Sequence, residues 1–337
     1  MVNKRVLITG ASGFIGSTAV DKALELGFET WAGIRKSSSR EFLKDERIKF
    51  IDLNYNHPEA MKNQLTELIN KHGKFHYIIH IAGLTKARHT TEFYNVNYLQ
   101  TRKLVDCLIE IDAVPQTFVL MSSLSVMGAG DEINYTPIKI DDEPKPDTVY
   151  GKSKLKAENW IKSLNNFPYL IIRPTGVYGP RDKDYFILMK TIKRGLGVSA
   201  GFKKQILSFI YSEDLLDLIF KLLDRGITRK EYIVSDGDCY TDIEFNRIVM
   251  EALKKKNILS FKIPLFIVRP AAFISEKTAT ILGRVSTFNS DKYRIMKQRN
   301  WSCDISPLQK DIDFKPRFRL KEGVNKTIEW YKENGWL

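Results

Sequence analysis

The first 130 residues alternate short apolar runs with longer stretches whose apolar residues recur at helical spacing. Apolar runs predict strands at residues 6–8, 30–34, 48–53, 77–82 and 118–121. Helices are predicted for residues 17–26 and 93–111. Strands that alternate with helices at this spacing favour a parallel sheet covered by helices on both faces. We therefore expect an α/β fold with a doubly wound parallel sheet.

The pattern changes beyond residue 130. A polar, proline-rich stretch at 131–147 predicts a loop, followed by a helix at 148–164 and a strand at 169–172. The alternation then becomes irregular, with further helices expected at 214–223 and 320–333. We therefore predict two domains. The first spans residues 1–175, with segments of 205–240 returning to its sheet, and residues 176–337 mainly form a smaller α/β substrate-binding domain.

Three glycines follow the first predicted strand at the spacing GxxGxxG, within Thr9-Gly10-Ala11-Ser12-Gly13-Phe14-Ile15-Gly16. Glycines between a strand and a helix permit a tight turn, and they let backbone N–H groups approach a pyrophosphate at the helix N-terminus. This position at the start of a βαβ series predicts a Rossmann-type dinucleotide site. Its cofactor contacts are expected at Gly10, Ser12, Gly13, Phe14, Ile15 and Gly16.

The end of the second strand carries no acidic residue to accept a hydrogen bond from the adenosine ribose. Instead it reads Ile34-Arg35-Lys36-Ser37. The positive charges of Arg35 and Lys36 can bind a ribose 2′-phosphate. This favours NADP(H) as the cofactor and leaves NAD(H) possible. A surface arginine at a strand end is the alternative interpretation. Further cofactor contacts are expected after the third and fourth strands, at Asp52, Leu53, Ala82 and Gly83.

Charge and composition add little to this picture. The 337 residues carry a formal net charge of +13, and residues 251–300 hold eleven Lys and Arg against three acids. No nucleic-acid-binding motif accompanies this basic block, so a nucleic-acid partner is not expected. The apolar stretch 263–274 is interrupted by Arg269 and Pro270, and it is too short to span a membrane. We expect a cytoplasmic protein, with no metal site.

The spacing YxxxK places a tyrosine and a lysine one helical turn apart, where an ammonium can lower the pKa of the phenol. The chain contains this spacing three times. Tyr135 and Lys139 are separated by a proline, and Tyr293 and Lys297 lie in the basic block. Only Tyr150 and Lys154 fall on a predicted helix at the carboxyl edge of the sheet, so we expect Tyr150 to be a general acid/base.

The chain resembles the extended short-chain dehydrogenase/reductases, also called the NAD-dependent epimerase/dehydratase family. The matching segments occur in the same order as in that family and cover about residues 4–240. They are TGASGFIG at 9–16, HIAG at 80–83, NVN at 95–97, SSLSV at 122–126, YGKSKLKAE at 150–158, RPTGVYGP at 173–180 and FIYSEDL at 209–215.

The resemblance implies a role for several residues. Tyr150 exchanges a proton with the substrate oxygen, Ser123 hydrogen-bonds that oxygen, Lys154 holds the nicotinamide ribose, and Asn97 supports Lys154. It also implies nicotinamide contacts from Pro174, Thr175 and Val177. Thr85 and Ser125 are expected to contact the substrate.

Two departures from the family pattern narrow the reaction. The 4,6-dehydratases carry Thr-Asp-Glu where this chain has Ser123-Leu124-Ser125. Sugar-nucleotide epimerases commonly carry an arginine, which helps to bind diphosphate, where this chain has 207–209, Leu-Ser-Phe. The chain is thus more similar to the dihydroflavonol-reductase and 3β-hydroxysteroid-dehydrogenase-like branch. We predict hydride transfer between NAD(P) and a carbonyl or secondary alcohol of a small molecule.

Several alternatives stay open. A nucleotide-sugar epimerase is one, since Lys203, Lys204, Arg269 and Arg294 can meet an anionic substrate. A catalytically silent, cofactor-sensing regulator is another, although intact Ser123, Tyr150 and Lys154 argue against it. The stretch 263–274, with Phe314 and Phe318, either shapes a lipophilic pocket or is ordinary core packing. A homodimer is possible.

Overall fold

A computed structural model describes residues 4–337. In chain order the strands are β1 (Arg5–Thr9), β2 (Glu29–Ile34), β3 (Lys49–Asp52), β4 (Tyr77–His80), β5 (Thr117–Met121), β6 (Tyr169–Pro174), β7 (Gly176–Tyr178), β8 (Leu196–Ala200), β9 (Ile206–Leu207), β10 (Phe209–Tyr211), β11 (Lys230–Val234), β12 (Tyr240–Thr241) and β13 (Leu259–Ile263).

The helices alternate with these strands. They are α1 (Phe14–Glu25), α2 (Pro58–His72), α3 (Thr90–Tyr94), α4 (Thr101–Glu110), α5 (Val149–Ser163), α6 (Asp184–Lys193), α7 (Ser212–Asp224), α8 (Asp242–Ala252), α9 (Leu265–Ile281), α10 (Ser290–Lys297), α11 (Ser306–Ile312) and α12 (Leu320–Glu333).

The central sheet has the strand order β11-β6-β5-β4-β1-β2-β3, and every neighbouring pair is parallel. The doubly wound α/β fold expected from the sequence is therefore confirmed. The strand order reverses next to β1, so a crevice opens there at the carboxyl edge of the sheet.

The sheet is buried on both faces, and alternate side chains of β1 show why. Val6 and Ile8 join an apolar cluster with α1 and α7, whereas Leu7 joins the opposite cluster with α2, α4 and α5. Because side chains of a strand point alternately to the two faces, an unbroken apolar run is what a doubly covered strand requires. A third cluster lies among α6, α8, α12 and β10. The division at residue 175 stays a prediction.

The predicted helix at 93–111 is interrupted in the structure. α3 and α4 are joined by a π-helical turn, Asn95–Gln100, which contains Asn97. Such turns insert one extra residue into a helix and often occur at functional sites. The apolar spacing does not reveal the interruption, because it continues on both sides.

The stretch 263–274 does not fill the core. Most of it belongs to α9, where Val268 and Ala272 are buried but Phe266, Phe273 and Ile274 are exposed. Phe314 is buried in the core, and the Phe318 ring packs on Tyr211 with centroids 5.2 Å apart. For these two residues the structure shows ordinary packing.

Two kinds of feature are absent from residues 4–337. No helix there is long and apolar enough to cross a bilayer. Nor does that part of the chain contain a group of three potential metal-ligating side chains.

Candidate active site

Most of the predicted site residues follow the carboxyl ends of six parallel strands, so the fold brings them to one edge of the sheet. Residues 10–16 follow β1, 35–36 follow β2, 52–53 lie at the end of β3, 82–85 follow β4, 122–125 follow β5, and 174–177 lie at the end of β6 and directly after it. Carboxyl ends of parallel strands share an edge, and the crevice beside β1 and β4 lies at its centre. α5, with Tyr150 and Lys154, connects β5 to β6.

The glycine loop leads directly into α1. The Gly13 N–H donates to the Gly10 carbonyl (3.0 Å), and α1 begins at Phe14. Within residues 4–337, no side chain caps this helix end, and its first turn contains no acid. The amide groups of that turn and the positive end of the helix dipole can therefore receive an anionic group, which fits a pyrophosphate. Four residues of this turn are at least partly exposed to solvent, namely Ser12, Gly13, Phe14 and Ile15. Gly16 is buried.

The segment that follows β2 is basic. Arg35 and Lys36 are exposed directly after β2, and the Arg35 backbone N–H donates to Ser38 Oγ (3.2 Å). Asp52 is the last residue of β3, while Leu53 is buried with its N–H donating to the Ile34 carbonyl (3.0 Å). Arg35 and Lys36 are thus two exposed cations directly after β2.

The amino end of α5 is held in two ways. Thr148 caps it by accepting a hydrogen bond from the Gly151 N–H (3.0 Å). The carboxylate of Asp291 accepts from the N–H groups of Val149 (3.3 Å) and Tyr150 (3.1 Å). A carboxylate at this end also interacts favourably with the helix dipole. Asp291 thereby fixes the backbone of Tyr150 from α10, 141 residues away in the chain.

Close packing then places α5 against the loop that contains Ser123. A Cβ at Gly151 would lie 2.4 Å from the Ser125 carbonyl oxygen, so only glycine lets the two segments approach this closely. Ser123 Oγ accepts from the Ser125 N–H and donates to Ser125 Oγ, both at 3.1 Å. Tyr150 packs on the other side against the Phe93 ring, with centroids 6.3 Å apart.

Tyr150 has a raised pKa in this structure. Burial raises the pKa of its phenol to about 12, and the nearby Ser123 hydroxyl opposes this in part. Lys154 is expected to lower this pKa, but the net shift is upwards because burial outweighs every opposing interaction. The Lys154 ammonium donates to the Met121 carbonyl (2.8 Å). The phenol is protonated at neutral pH, which is the form that donates a proton.

Lys154 is itself buried, and this lowers its pKa to about 8, with the Glu158 charge one helical turn away acting in the opposite direction. A Cβ at Gly83 would lie 3.0 Å from Lys154 Nζ and 3.0 Å from Asn97 Oδ1. A side chain there would fill the space beside the ammonium. An ammonium has three hydrogens and Met121 takes one, so this cradle fits a hydroxyl-bearing group such as a ribose.

Asn97 fixes the surroundings of Lys154. Its amide accepts from the Leu84 N–H (2.8 Å) and donates to the Leu84 carbonyl (3.0 Å) and to Ser153 Oγ (2.9 Å). It thus joins the segment after β4 to the helix that carries Tyr150 and Lys154. Ala82 and the exposed Thr85 belong to the same segment.

His80, beneath this segment, is a packing residue. It lies between Thr9 Oγ1 (2.8 Å from Nδ1) and Thr101 Oγ1 (2.9 Å from Nε2). Thr101 donates its own hydrogen to the Asn97 carbonyl (2.9 Å), so His80 Nε2 is the protonated nitrogen. Burial lowers its pKa to about 3, and the imidazole is neutral.

Beyond β6, Thr175 is fixed by its N–H (3.0 Å) and its hydroxyl (3.2 Å), which both donate to the Val234 carbonyl. Pro174 is buried, and Val177 is half-buried in β7.

Sequence reasoning missed a buried ion pair next to Pro174. Arg173 donates to Glu158 through Nε (3.1 Å) and Nη2 (2.7 Å), and both side chains are fully buried.

The sequence does contain a signal for Glu158, since it lies four residues after Lys154 on the same helical face. No comparable signal exists for Asp291. The structure thus joins Ser123, Tyr150, Lys154 and Asn97 in one region, and it supports them with Glu158 and Asp291.

Known proteins of one family are similar to this chain. Residues 6–235 match the model of the NAD dependent epimerase/dehydratase family. The chain is 27% identical to a UDP-glucose 4-epimerase of Vibrio cholerae, over 97% of this chain and 95% of that protein. It is 23% identical to a ceramide reductase of Caulobacter vibrioides, over 98% and 96% respectively.

A solved structure has the same fold. It is a dTDP-glucose 4,6-dehydratase from Bacillus anthracis in complex with NAD, with a TM-score of 0.76 and 17% identity. The superposition covers 99% of this chain and 98% of that one.

Proposed function

The chain belongs to the NAD-dependent epimerase/dehydratase family, and on that premise we propose that it transfers a hydride between NADP(H) and a carbonyl or secondary-alcohol carbon of a small molecule. The observation that carries the proposal is the protonated, half-buried phenol of Tyr150 beside Ser123 at the carboxyl edge. A phenol held in this form can protonate the alkoxide that develops when a carbonyl is reduced.

Tyr150, Ser123, Lys154 and Asn97 each have a separate role in the proposed reaction. The nicotinamide supplies the hydride when it is bound. Tyr150 donates the proton from its Oη, and the Ser123 hydroxyl hydrogen-bonds the same substrate oxygen and orients it. Lys154 holds ribose hydroxyls with the ammonium hydrogens that Met121 does not use. Asn97 keeps Lys154 in place through Ser153 and the backbone of Leu84.

Two features argue against dehydration and epimerisation. Leu124, at the centre of Ser123-Leu124-Ser125, is buried in the core, so no acid at this position can expel water from a sugar. At the position of the epimerases' arginine, Leu207 packs against the core, and the neighbouring Ser208 and Phe209 are buried. This segment offers no cation to a diphosphate.

A nucleotide-sugar epimerase is the second candidate, favoured by the 27% identity to the Vibrio cholerae enzyme. A cavity of about 870 Å³, lined by Lys152, Arg269, Arg294 and Lys297, supports it as well, because these cations can bind a diphosphate.

The reaction is tested by following NADPH absorbance with a panel of lipophilic ketones, and by following UDP- and dTDP-sugars by chromatography. We expect net oxidation of NADPH by a ketone. Interconversion of a sugar without net change in the cofactor would contradict the proposal and establish the epimerase instead.

The preference for NADP(H) is tested by Arg35→Asp. Loss of a charge-assisted contact with the 2′-phosphate is expected to weaken NADPH binding about tenfold to a hundredfold. The new carboxylate can accept from a ribose hydroxyl, so NADH binding is expected to improve. Dissociation constants measured by fluorescence titration check both.

Lys44→Asp is the matched control, because Lys44 is an exposed cation of the same segment that lies beyond the end of β2. It should change NADPH affinity much less than Arg35→Asp. Equal effects of the two substitutions, or none, would mean that Arg35 is only a surface residue.

A further inference from the structure

α9 presents an apolar face to solvent. Ile267, Ile274 and Ile281 are spaced seven residues apart and lie on one side of the helix, next to Phe266 and Phe273. All five side chains are exposed, by 48 to 83%. We call these five residues the α9 face. Folded soluble proteins rarely leave so many large apolar side chains exposed together unless a partner covers them.

The helix is held in the fold by its opposite side. Val268 and Ala272 are buried, and Glu276 accepts hydrogen bonds from the N–H (3.1 Å) and hydroxyl of Ser290 at the start of α10. Neighbouring β13 adds two further exposed apolar side chains, Leu259 and Phe261. The apolar exposure therefore belongs to a packed element of the fold.

Basic side chains surround the α9 face. Ten Lys and Arg side chains between residues 251 and 300 are exposed, and Lys262, Arg269, Lys277, Arg284 and Arg294 lie on α9 or on the segments next to it. Within residues 4–337, only Arg294 of the ten is within 4 Å of a carboxylate, that of Asp291 (3.8 Å). The net charge of this region is thus not neutralised inside the molecule.

We propose that the α9 face docks on the surface of a bilayer that contains anionic phospholipid. A membrane interface takes up apolar side chains and attracts lysine and arginine at the same time, and α9 with its surroundings has both features. A second copy of the chain fits less well, because a symmetric contact would bring one basic surface against another. A nucleic acid would bind the basic side chains, but it would leave the apolar side chains of the α9 face exposed.

The cavity of about 870 Å³ adjoins this face. Pro270 and Phe273 of α9 line it together with Lys152, Arg269, Arg294 and Lys297. Its one carboxylate, Asp147, accepts a hydrogen bond from the Gln298 side chain (2.6 Å). Four cations at the edge of an apolar face are suited to the phosphate of a lipid headgroup.

The same surface leads towards Tyr150. Arg294 also lines a second cavity of about 200 Å³, which includes Phe93 and Val149. Phe93 packs on the Tyr150 ring, and Val149 precedes Tyr150 in α5. The docking itself is independent of the reaction, so its test does not rely on turnover.

The experiment measures sedimentation of the full chain with phosphatidylcholine vesicles, with and without phosphatidylglycerol. We expect binding to the anionic vesicles, weaker binding at high salt, and little binding to phosphatidylcholine alone. The variant Ile274→Ser/Ile281→Ser is expected to lower the partition coefficient about tenfold or more, since two inserted side chains are lost. Lys277→Glu is expected to lower it several-fold.

Matched controls separate docking from general effects. Leu26→Ser removes an exposed apolar residue after α1, and Lys332→Glu reverses an exposed charge on α12. Both should bind vesicles like the unmodified chain, and all variants should keep NADPH affinity.

Two results would overturn the proposal. One is failure of the unmodified chain to bind anionic vesicles, or binding that the α9 variants do not change. The other is a dimer, detected by light scattering, which Ile274→Ser/Ile281→Ser dissociates while vesicle binding is absent. That outcome would make the α9 face a subunit interface.

Discussion

Tyr150→Phe is expected to lower kcat about a hundredfold to ten-thousandfold, the range typical of a lost general acid. The substitution removes only the phenolic oxygen and leaves the ring packed on Phe93. Asp291 binds the backbone N–H of residue 150, so α5 keeps its position whatever the side chain. Lys154 and the glycine loop are untouched, and cofactor affinity should therefore change little. Steady-state turnover of an active ketone and NADPH titration measure the two quantities separately.

Tyr135→Phe is a matched control for this result. Tyr135 shares the YxxxK spacing, but it lies in a loop and donates its hydroxyl to the Lys204 carbonyl (3.0 Å). Its loss should leave kcat unchanged. If Tyr150→Phe retained full turnover, the proton would have to come from another group, and the proposed role of Tyr150 would be wrong.

The fold was predictable because its strongest signals are local. Each strand of the central sheet that precedes residue 175 overlaps a predicted apolar run, and burial on both faces is what makes those runs continuous. The glycine loop and the Tyr150–Lys154 spacing are local as well. Parallel strands then bring these local motifs to one edge without any further information from the sequence.

The features that were missed depend on distant contacts or on the shape of the backbone. Asp291 reaches α5 from 141 residues away, and nothing in its own neighbourhood indicates that contact. The π-helical turn at Asn97 leaves the apolar spacing on either side intact. The exposure of α9 is hidden for a related reason, since an apolar stretch looks the same whether the core or an external partner covers it.

The YxxxK spacing predicts a lowered pKa for Tyr150, but burial of the phenol raises its pKa instead. Lys154 lies one helical turn away, and its ammonium donates to the Met121 carbonyl. Spacing gives the relative position of two side chains on a helix, whereas the burial and the neighbours of each side chain decide its pKa.

Glu158→Gln is expected to destabilise the protein by about 3 kcal/mol, because it leaves the guanidinium of Arg173 buried with only one, partly exposed, carboxylate. Glu158 accepts hydrogen bonds from Arg173 and also from the Ser122 hydroxyl, next to Ser123. The pair therefore joins α5 to β6 and to the end of β5. Urea unfolding at neutral pH, with the midpoint and slope fitted together, measures the loss.

Glu231→Gln is the matched control, since Glu231 contacts the same guanidinium (2.5 Å) but its side chain is 29% exposed. Water can replace much of that interaction, so a loss of about 1 kcal/mol or less is expected. Equal losses in the two variants would mean that burial does not decide the strength of this pair.

A double substitution separates the charge from the packing. Glu158→Leu with Arg173→Met removes both buried charges and keeps most of the apolar volume. Breaking a buried pair is costly because one ion is left without its partner, whereas removing both ions avoids that cost. The double variant should therefore be more stable than Glu158→Gln, although the Ser122 hydroxyl then loses its acceptor. If it were instead less stable than Glu158→Gln, the attachment of α5 to the sheet would depend on the hydrogen bonds of the pair more than on its charges.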